Sequence, residues 1–255
     1  GVVLGLFDFL GTKKIENRFA IALDIGTEFA KCLIFKVEED KGIVVGAGRQ
    51  RQKLSDMQGG AVTDIHGVVR NCQKAMERAA EMAQIMPQQV IMGIAGELVK
   101  GNTTTIKYTR PDAKAGITFE ELKDIISRIQ HRSFDRARQI LAWETGHSEV
   151  DVRLVNAAIV DVKIDGYKVS NPLGFQGREL QVGVFNAFAP IVHLGALQTI
   201  AAELGLDLLS IVADPYALAR SVGPNESAEF SAIFIDIGGG TTDIAVVRQG
   251  GVEGT

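Results

Sequence analysis

Cysteine is scarce, positive charge is not in excess, and long hydrophobic runs are missing. The two cysteines, Cys32 and Cys72, are too few for a disulfide framework, and each falls in an apolar periodic segment where a small buried thiol is expected. With 27 Lys and Arg against 31 Asp and Glu the formal net charge is -4. No basic block stands out that could follow a phosphate backbone, so a nucleic-acid partner is not expected. No run reaches the ~18 apolar residues of a membrane-spanning helix, and residues 1–11 (GVVLGLFDFLG) lack the charged start and cleavage pattern of a signal peptide. A reducing, cytoplasmic setting is the expectation. What is present, 46% hydrophobic and 23% charged residues over 255 positions, is the composition of an ordinary globular protein and excludes disordered, collagen-like and coiled-coil classes.

Residues 20–25, 29–37 and 43–49 read as a three-stranded meander, followed by one long amphipathic helix from Asp64, whose apolar stripe includes Val68, Cys72, Met76 and Ala79. A short strand, Val90 to Ala95, comes next. From Gly96 to Ala189 the texture is more polar. There, Thr118 followed by Glu121 has the pattern of a capping box at a helix running towards Trp143, and Asp165-Gly166 reads as the turn between two strands. A strand from Arg178 to Phe188, a helix from Pro190 to Leu204 with Pro in its first turn, a strand from Leu208 and a helix from Pro215 complete the series before the linker at residues 223–227. The chain begins at Gly1 and stops just beyond the hairpin composition Arg248-Gln249-Gly250-Gly251, so it is expected to be a piece of something longer.

The last strand pair carries an internal repeat. Phe234-Ile235-Asp236-Ile237-Gly238-Gly239-Gly240-Thr241-Thr242-Asp243 echoes Ala22-Leu23-Asp24-Ile25-Gly26-Thr27, with the two Asp residues 212 positions apart. A supersecondary unit repeated at this spacing suggests two similar half-domains facing one another. The residue types fit one chemistry. An apolar strand ending in Asp fixes a carboxylate where it can hold a hydrated divalent cation or orient a water. Glycines then let backbone N–H groups approach an anion, and Thr hydroxyls add donors. The spacing matches neither the G-x-x-x-x-G-K-[ST] phosphate loop nor G-x-G-x-x-G. For a single turn, Gly238 to Gly240 could equally be a permissive hairpin; the pairing with Asp24-Ile25-Gly26 speaks for the phosphate reading.

These motifs resemble the actin-like ATPase superfamily, which includes DnaK-type chaperones and sugar kinases. Asp24-Ile25-Gly26-Thr27 resembles its first phosphate motif, DIGGGTTD at 236–243 its second, and Ala213-Asp214-Pro215-Tyr216-Ala217-Leu218-Ala219 its connecting helix. Within the superfamily, Gly60-Ala61-Val62-Thr63-Asp64-Ile65, Met92-Gly93-Ile94-Ala95-Gly96 and residues 171–180 (NPLGFQGREL) resemble the FtsA-like cell-division proteins, over roughly residues 18–255. The resemblance implies an α/β fold: an actin-like (ribonuclease H-like) lobe at 15–95 and 190–227, an inserted α+β subdomain at 96–189, and the truncated start of a second lobe at 228–255, behind an N-terminal segment at 1–14. It implies ATP and Mg2+ as ligands, with Asp24, Asp214 and Asp236 in catalytic roles and Asp24 and Asp236 on the metal side. Gly26, Thr27, Gly238, Gly239, Gly240, Thr241 and Thr242 would hold the phosphates. It further implies a protein, at most a weak ATPase, that polymerises, lies on the inner face of the cell membrane through a C-terminal helix, and tethers an FtsZ-like tubulin homologue.

PilM-like pilus-assembly scaffolds, which hold nucleotide and an inner-membrane peptide, share the inserted subdomain and are the nearest rival. DIGGGTTD is more complete in Gly and Asp than is usual for them. A metabolite kinase would need a sugar-binding catalytic Asp where this chain has the polymer-type insertion. The family's second connecting motif and adenosine-binding Gly pair would lie beyond Thr255, so the chain is expected to hold half a nucleotide site and to bind ATP weakly. Glu28 departs from the small or hydroxyl residues common after Thr27; it either nears the phosphates or points to solvent. Two readings stay open for Asp214, a helix N-cap before Pro215 or an orienting carboxylate for water. His66, His131, His147 and His193 show no metal-ligand spacing. Trp143 and Phe134 are expected in the core of the inserted module. Residues 1–11 read either as a terminus packed on the body or as a short membrane-surface or partner-binding segment.

Overall fold

The structure, a computed structural model, describes residues 18–38, 41–146, 149–222, 231–248 and 251–254. The expectations for residues 1–11, His147 and the linker at 223–227 lie outside the described residues.

The meander forms as its alternation requires: β1 (Phe19–Ile25), β2 (Phe29–Glu38) and β3 (Lys41–Arg51) pair antiparallel in sequence. Two short strands, β4 (Met57–Gln58) and β5 (Ala61–Val62), lead to α1 (Ile65–Ala83). The helix lays its small residues on β3 at very short range. A Cβ added to Gly48 would fall 2.0 Å from the Ala75 carbonyl oxygen, and one on Gly46 would fall 2.2 Å from that of Ala79. Only glycine lets the helix backbone come this close. The strands β6 (Gln89–Ile94) and β11 (Asp207–Ala213) then add in parallel, giving a five-stranded sheet ordered β11-β6-β1-β2-β3. Cys32 and Cys72 are buried as free thiols between β2 and α1, and burial pushes both up to about 12, which makes them inert.

After the short turn Gly96–Leu98 the chain enters a second sheet. It comprises β7 (Lys100–Thr109), β8 (Val152–Ile164), β9 (Tyr167–Lys168) and β10 (Glu179–Pro190), with α2 (Phe119–Thr145) packed on one face. Thr118 caps α2 by accepting the Glu121 N–H. The reciprocal half of the capping box is absent, because Glu121 turns instead to Arg110, binding its Nε at 2.7 Å and its Nη2 at 3.0 Å. Arg110 is almost fully buried and also donates to the carbonyls of Ala115 and Gly177, so one guanidinium ties the loop between β7 and α2 to the start of α2 and to the loop before β10. Trp143, expected in the core, is 84% exposed. The buried stripe of α2 passes through Ile129, Ser133, Ala137 and Leu141, and Trp143 lies about 200° around the helix from Leu141. Phe134 meets the expectation in part: it is half-buried, edge-on to Phe188 at 5.9 Å between ring centroids.

The chain returns to the first sheet through α3 (Ile191–Glu203), β11 and α4 (Asp214–Val222). Pro190 closes β10 and serves as the N-cap of α3, not as a first-turn residue. The last strands, β12 (Ala232–Ile237), β13 (Thr242–Arg248) and β14 (Gly251–Gly254), extend the second sheet, whose order is β12-β13-β14-β7-β10-β8-β9. The two copies of the repeat therefore sit in different sheets. One face of the β12–β13 hairpin packs inward through Ala245 and Val247, while Ile233, Ile235, Ile237, Ile244 and Val246 remain exposed. Among the described residues no helix is long and apolar enough to cross a membrane.

Candidate functional site

The two repeat hairpins have the same geometry, residue for residue. In the first, Gly26 N–H donates to the Phe29 carbonyl at 3.1 Å, Ile25 pairs with Ala30, and Asp24 lies opposite Lys31. In the second, Gly238 N–H donates to the Thr241 carbonyl at 2.9 Å, Ile237 pairs with Thr242, and Asp236 lies opposite Asp243. Both turns are tight at the first glycine for the same reason. A Cβ there would come 3.1 Å from the Phe29 oxygen in one and 3.3 Å from the Thr241 oxygen in the other.

The turns meet tip to tip. A Cβ on Gly239 would fall 2.7 Å from Glu28 Cβ, and one on Gly240 would fall 3.1 Å from Thr27 Cγ2. Beside them opens a cleft of ≈ 520 Å³ whose lining includes Asp24, Gly26, Thr27, Asp214, Asp236, Gly238, Gly239, Thr241 and Asp243. Gly240 abuts Thr27 at the junction, and Thr242 begins β13. The sequence candidates other than Gly240 and Thr242 thus line one cleft, although they are drawn from β1, β12, α4 and two turns. Glu28 lies along the same cleft, 3.2 Å from Arg51 Nη2.

Carboxylates dominate the electrostatics. Asp214, at the first turn of α4, has its carboxyl pushed up to about 7, by burial first and then by the charges of Asp24, Asp243 and Asp236. It sits so close to β6 that a Cβ on Gly93 would lie 2.5 Å from its Oδ1. Glu97, in the Gly96–Leu98 turn, is also held above the usual carboxylate range, by burial and then by its neighbour Asp243. Asp243 itself is seated over Gly96, where a Cβ would come within 2.4 Å of its Oδ1. Among the described residues lining the cleft, Lys31 is the cation that answers this charge: its Nζ lies 2.9 Å from Asp24 Oδ2, and that hydrogen bond, together with the charges of Asp24, Asp236 and Asp214, raises the lysine.

Lys31 and Glu97 were not among the sequence candidates. Lys31 was legible in principle, since a four-residue turn after Ile25 puts residue 31 opposite Asp24, as it puts Asp243 opposite Asp236. Glu97 carried no comparable signal.

Among the described residues no three His, Cys, Asp or Glu side chains form a ready-made metal cluster. Hard carboxylate oxygens arranged around a cleft nevertheless fit a magnesium ion that keeps most of its water and takes one or two protein ligands. The mutual repulsion that raises Asp214 is the kind a divalent cation relieves. The open N–H groups and hydroxyls of two glycine-bearing turns fit a polyphosphate. His66 pairs with Glu203 at the surface and His193 lines a small apolar recess, so neither belongs to this constellation.

No protein-family model matches the chain. Among curated proteins it is similar to the cell division protein FtsA of Pseudomonas aeruginosa, 26% identical over 242 residues, covering 94% of this chain and 54% of the relative. It is likewise similar to FtsA of Neisseria meningitidis serogroup B, 28% identical over 242 residues with the same coverage. The chain thus spans about half the length of the curated relatives it matches. Among solved structures it resembles a chain of the PilM-PilN type IV pilus biogenesis complex, with a TM-score of 0.58 and 15% identity over 91% of this chain and 59% of that one, a likeness of fold alone. The fold is that of the actin-like ATPases, and the sequence similarity to FtsA runs across nearly the whole chain.

Proposed function

We propose that this chain is part of an FtsA-like cell-division protein that binds ATP with magnesium between its two repeat turns. The observation that carries the reading is the pair of equivalent Asp-Ile-Gly hairpins facing one another across a carboxylate-lined cleft. The similarity to FtsA over 94% of the chain supports it. In this reading Gly26, Thr27, Gly238, Gly239, Gly240, Thr241 and Thr242 form the phosphate-binding turns. Asp24 and Asp236 hold the metal ion, with Lys31 as the counter-charge of Asp24 until the ion binds. Asp214 accepts a hydrogen bond from water near the phosphates, or a proton, as its raised pKa allows. The ion supplies charge neutralisation of the phosphates.

The division of labour along the chain follows the same reading: a first lobe at 15–95 and 190–227, an inserted module at 96–189, and the start of a second lobe from 228. At the level of the whole protein the reading is a cytoplasmic filament former, peripheral on the inner membrane face, that links an FtsZ-like tubulin homologue to the membrane.

Calorimetry tests the core of it, on the 255-residue chain and on a version lengthened to the span of the relatives. Magnesium-dependent ATP binding is expected in the longer form, tighter by about a hundredfold because a second pocket wall contributes several kcal/mol. Asp24→Ala or Asp236→Ala is expected to weaken it far more than Glu28→Ala. Equal effects of the three substitutions would sink the assignment.

A further inference from the structure

The first turn is held from beneath by a chain of buried side chains that begins at Asp56. Asp56 is 1% exposed, and its carboxylate accepts from Lys53 N–H at 3.2 Å, Ser55 Oγ at 3.3 Å and Asn71 Nδ2 at 2.8 Å. Because these oxygens are acceptors, Asn71 must present its amide nitrogen to them. The same nitrogen donates its second proton to Gln52 Oε1 at 2.6 Å. Gln52 is thereby oriented in turn: with Oε1 facing Asn71, its Nε2 faces the Gly26 carbonyl, 3.4 Å away. Asn71 and Gln52 are both buried, which shields the Asn71 bonds to Gln52 and Asp56 from water, while the Gln52–Gly26 bond is part-buried. The Gln52 main-chain N–H adds a second hold, on the Glu28 carbonyl at 2.8 Å.

The consequence follows from peptide geometry. In a trans peptide the carbonyl and the next N–H point in opposite directions. Drawing the Gly26 oxygen down onto Gln52 turns the Thr27 N–H up, into the cleft that Thr27 lines. Among the described residues this N–H has no partner. The Thr27 hydroxyl is prepared in the same way: Gly60 N–H donates to Thr27 Oγ1 at 3.3 Å, which leaves the hydroxyl proton for another acceptor. Two donors of one residue are thus set before any ligand arrives.

We propose that Gln52, oriented by Asn71 and Asp56, is a positioning residue that fixes the Gly26–Thr27 peptide so that Thr27 presents its N–H and hydroxyl to a bound polyphosphate. The role rests on the nucleotide reading above and adds to it a source of preorganisation outside the phosphate turns. Donors fixed in advance lose no ordering entropy on binding.

The test uses the 255-residue chain with magnesium tripolyphosphate as the probe, which engages only the phosphate turns. Gln52→Met keeps the length of the side chain and removes both polar atoms. Asp56→Asn is the second variant, since it removes the pure acceptor that orients Asn71. Each is expected to weaken tripolyphosphate binding about tenfold in calorimetry and to change the amide-exchange rate of Thr27 in the absence of ligand. Leu141→Ala, which loosens the small cluster around Phe188, serves as a control: it lowers the melting temperature without altering either readout. Wild-type affinity and wild-type Thr27 exchange in both Gln52→Met and Asp56→Asn would overturn the positioning role while leaving the nucleotide reading intact. If the wild-type chain and its lengthened form bind neither tripolyphosphate nor ATP, the nucleotide reading itself fails and takes this role with it.

Discussion

Asp214→Asn isolates the electrostatic cost of the cleft. In the folded protein the Asp214 carboxyl is raised from the ordinary 3.8 to about 7, with burial the leading cause and three neighbouring carboxylates the next. At about 1.4 kcal/mol per pH unit, that change is worth up to about 4 kcal/mol. The side chain is only half-buried at the rim of an open cleft, so about 2–3 kcal/mol is the expected size. An opposing contribution comes from the start of α4, where a negative charge gains about 0.3–1 kcal/mol from the helix dipole; burial and repulsion outweigh it. The sign is set by proton binding. Between about pH 4 and 7 the folded state keeps a proton that the unfolded state has lost, so the contribution of Asp214 to stability is greatest below about pH 4, falls as the pH rises to about 7, and is flat beyond. Asparagine cannot ionise, and it preserves the shape. Urea unfolding should therefore show Asp214→Asn more stable than wild type by about 2 kcal/mol at pH 8 and nearly equal to it at pH 4. A variant less stable at pH 8, or one with the same difference at both pH values, would refute the argument. Magnesium should narrow the gap at pH 8, because a bound cation relieves the same repulsion.

Arg110→Met leaves Glu121 and the carbonyls of Ala115 and Gly177 without their donor. The inserted module should lose about 2–4 kcal/mol by urea titration, and a loss under 1 kcal/mol would mean that the pair contributes little beyond its packing. Gly48→Ala forces a methyl group to within 2.0 Å of the Ala75 carbonyl. Because the obstacle is helix backbone, α1 must shift, at a cost of about 1–3 kcal/mol; unchanged thermal stability would show that the helix–sheet spacing is looser than it stands here.

Local pattern made the two hairpins legible, because alternation and a repeated Asp-Ile-Gly both survive in a single sequence. The α1 stripe and the Thr118 cap were legible for the same reason. Asp214 could be found through Asp-Pro at a helix start, but the carboxylates of Asp24, Asp236 and Asp243 around it could not be read there. What sequence could not supply is contact at a distance. Glu121 satisfies Arg110 in place of its own helix start. Trp143 sits off the buried stripe by two residues, a difference that an eye following hydrophobicity misses. The union of β14 with β7, through Gly254 and Asn102, joins positions more than 150 residues apart and leaves no periodic trace.

The tip-to-tip meeting of the repeat turns also has a mechanical meaning. Glycines 239 and 240 touch Glu28 and Thr27 through van der Waals contact, and among the described residues no hydrogen bond joins Gly26–Glu28 to Gly238–Thr241. One jaw is held to the body through Gln52 and Gly60, and its opposite number through the inward packing of Ala245 and Val247 and the side-chain hydrogen bonds of Thr241 and Asp243 with Glu97. Prising the two apart breaks only weak dispersion contacts, of about 0.1–0.2 kcal/mol per atom pair. Each jaw is therefore anchored in its own sheet while the seam between the tips is weak, so an anion that parts the tips disturbs neither anchorage, and the grip that follows comes from the guest.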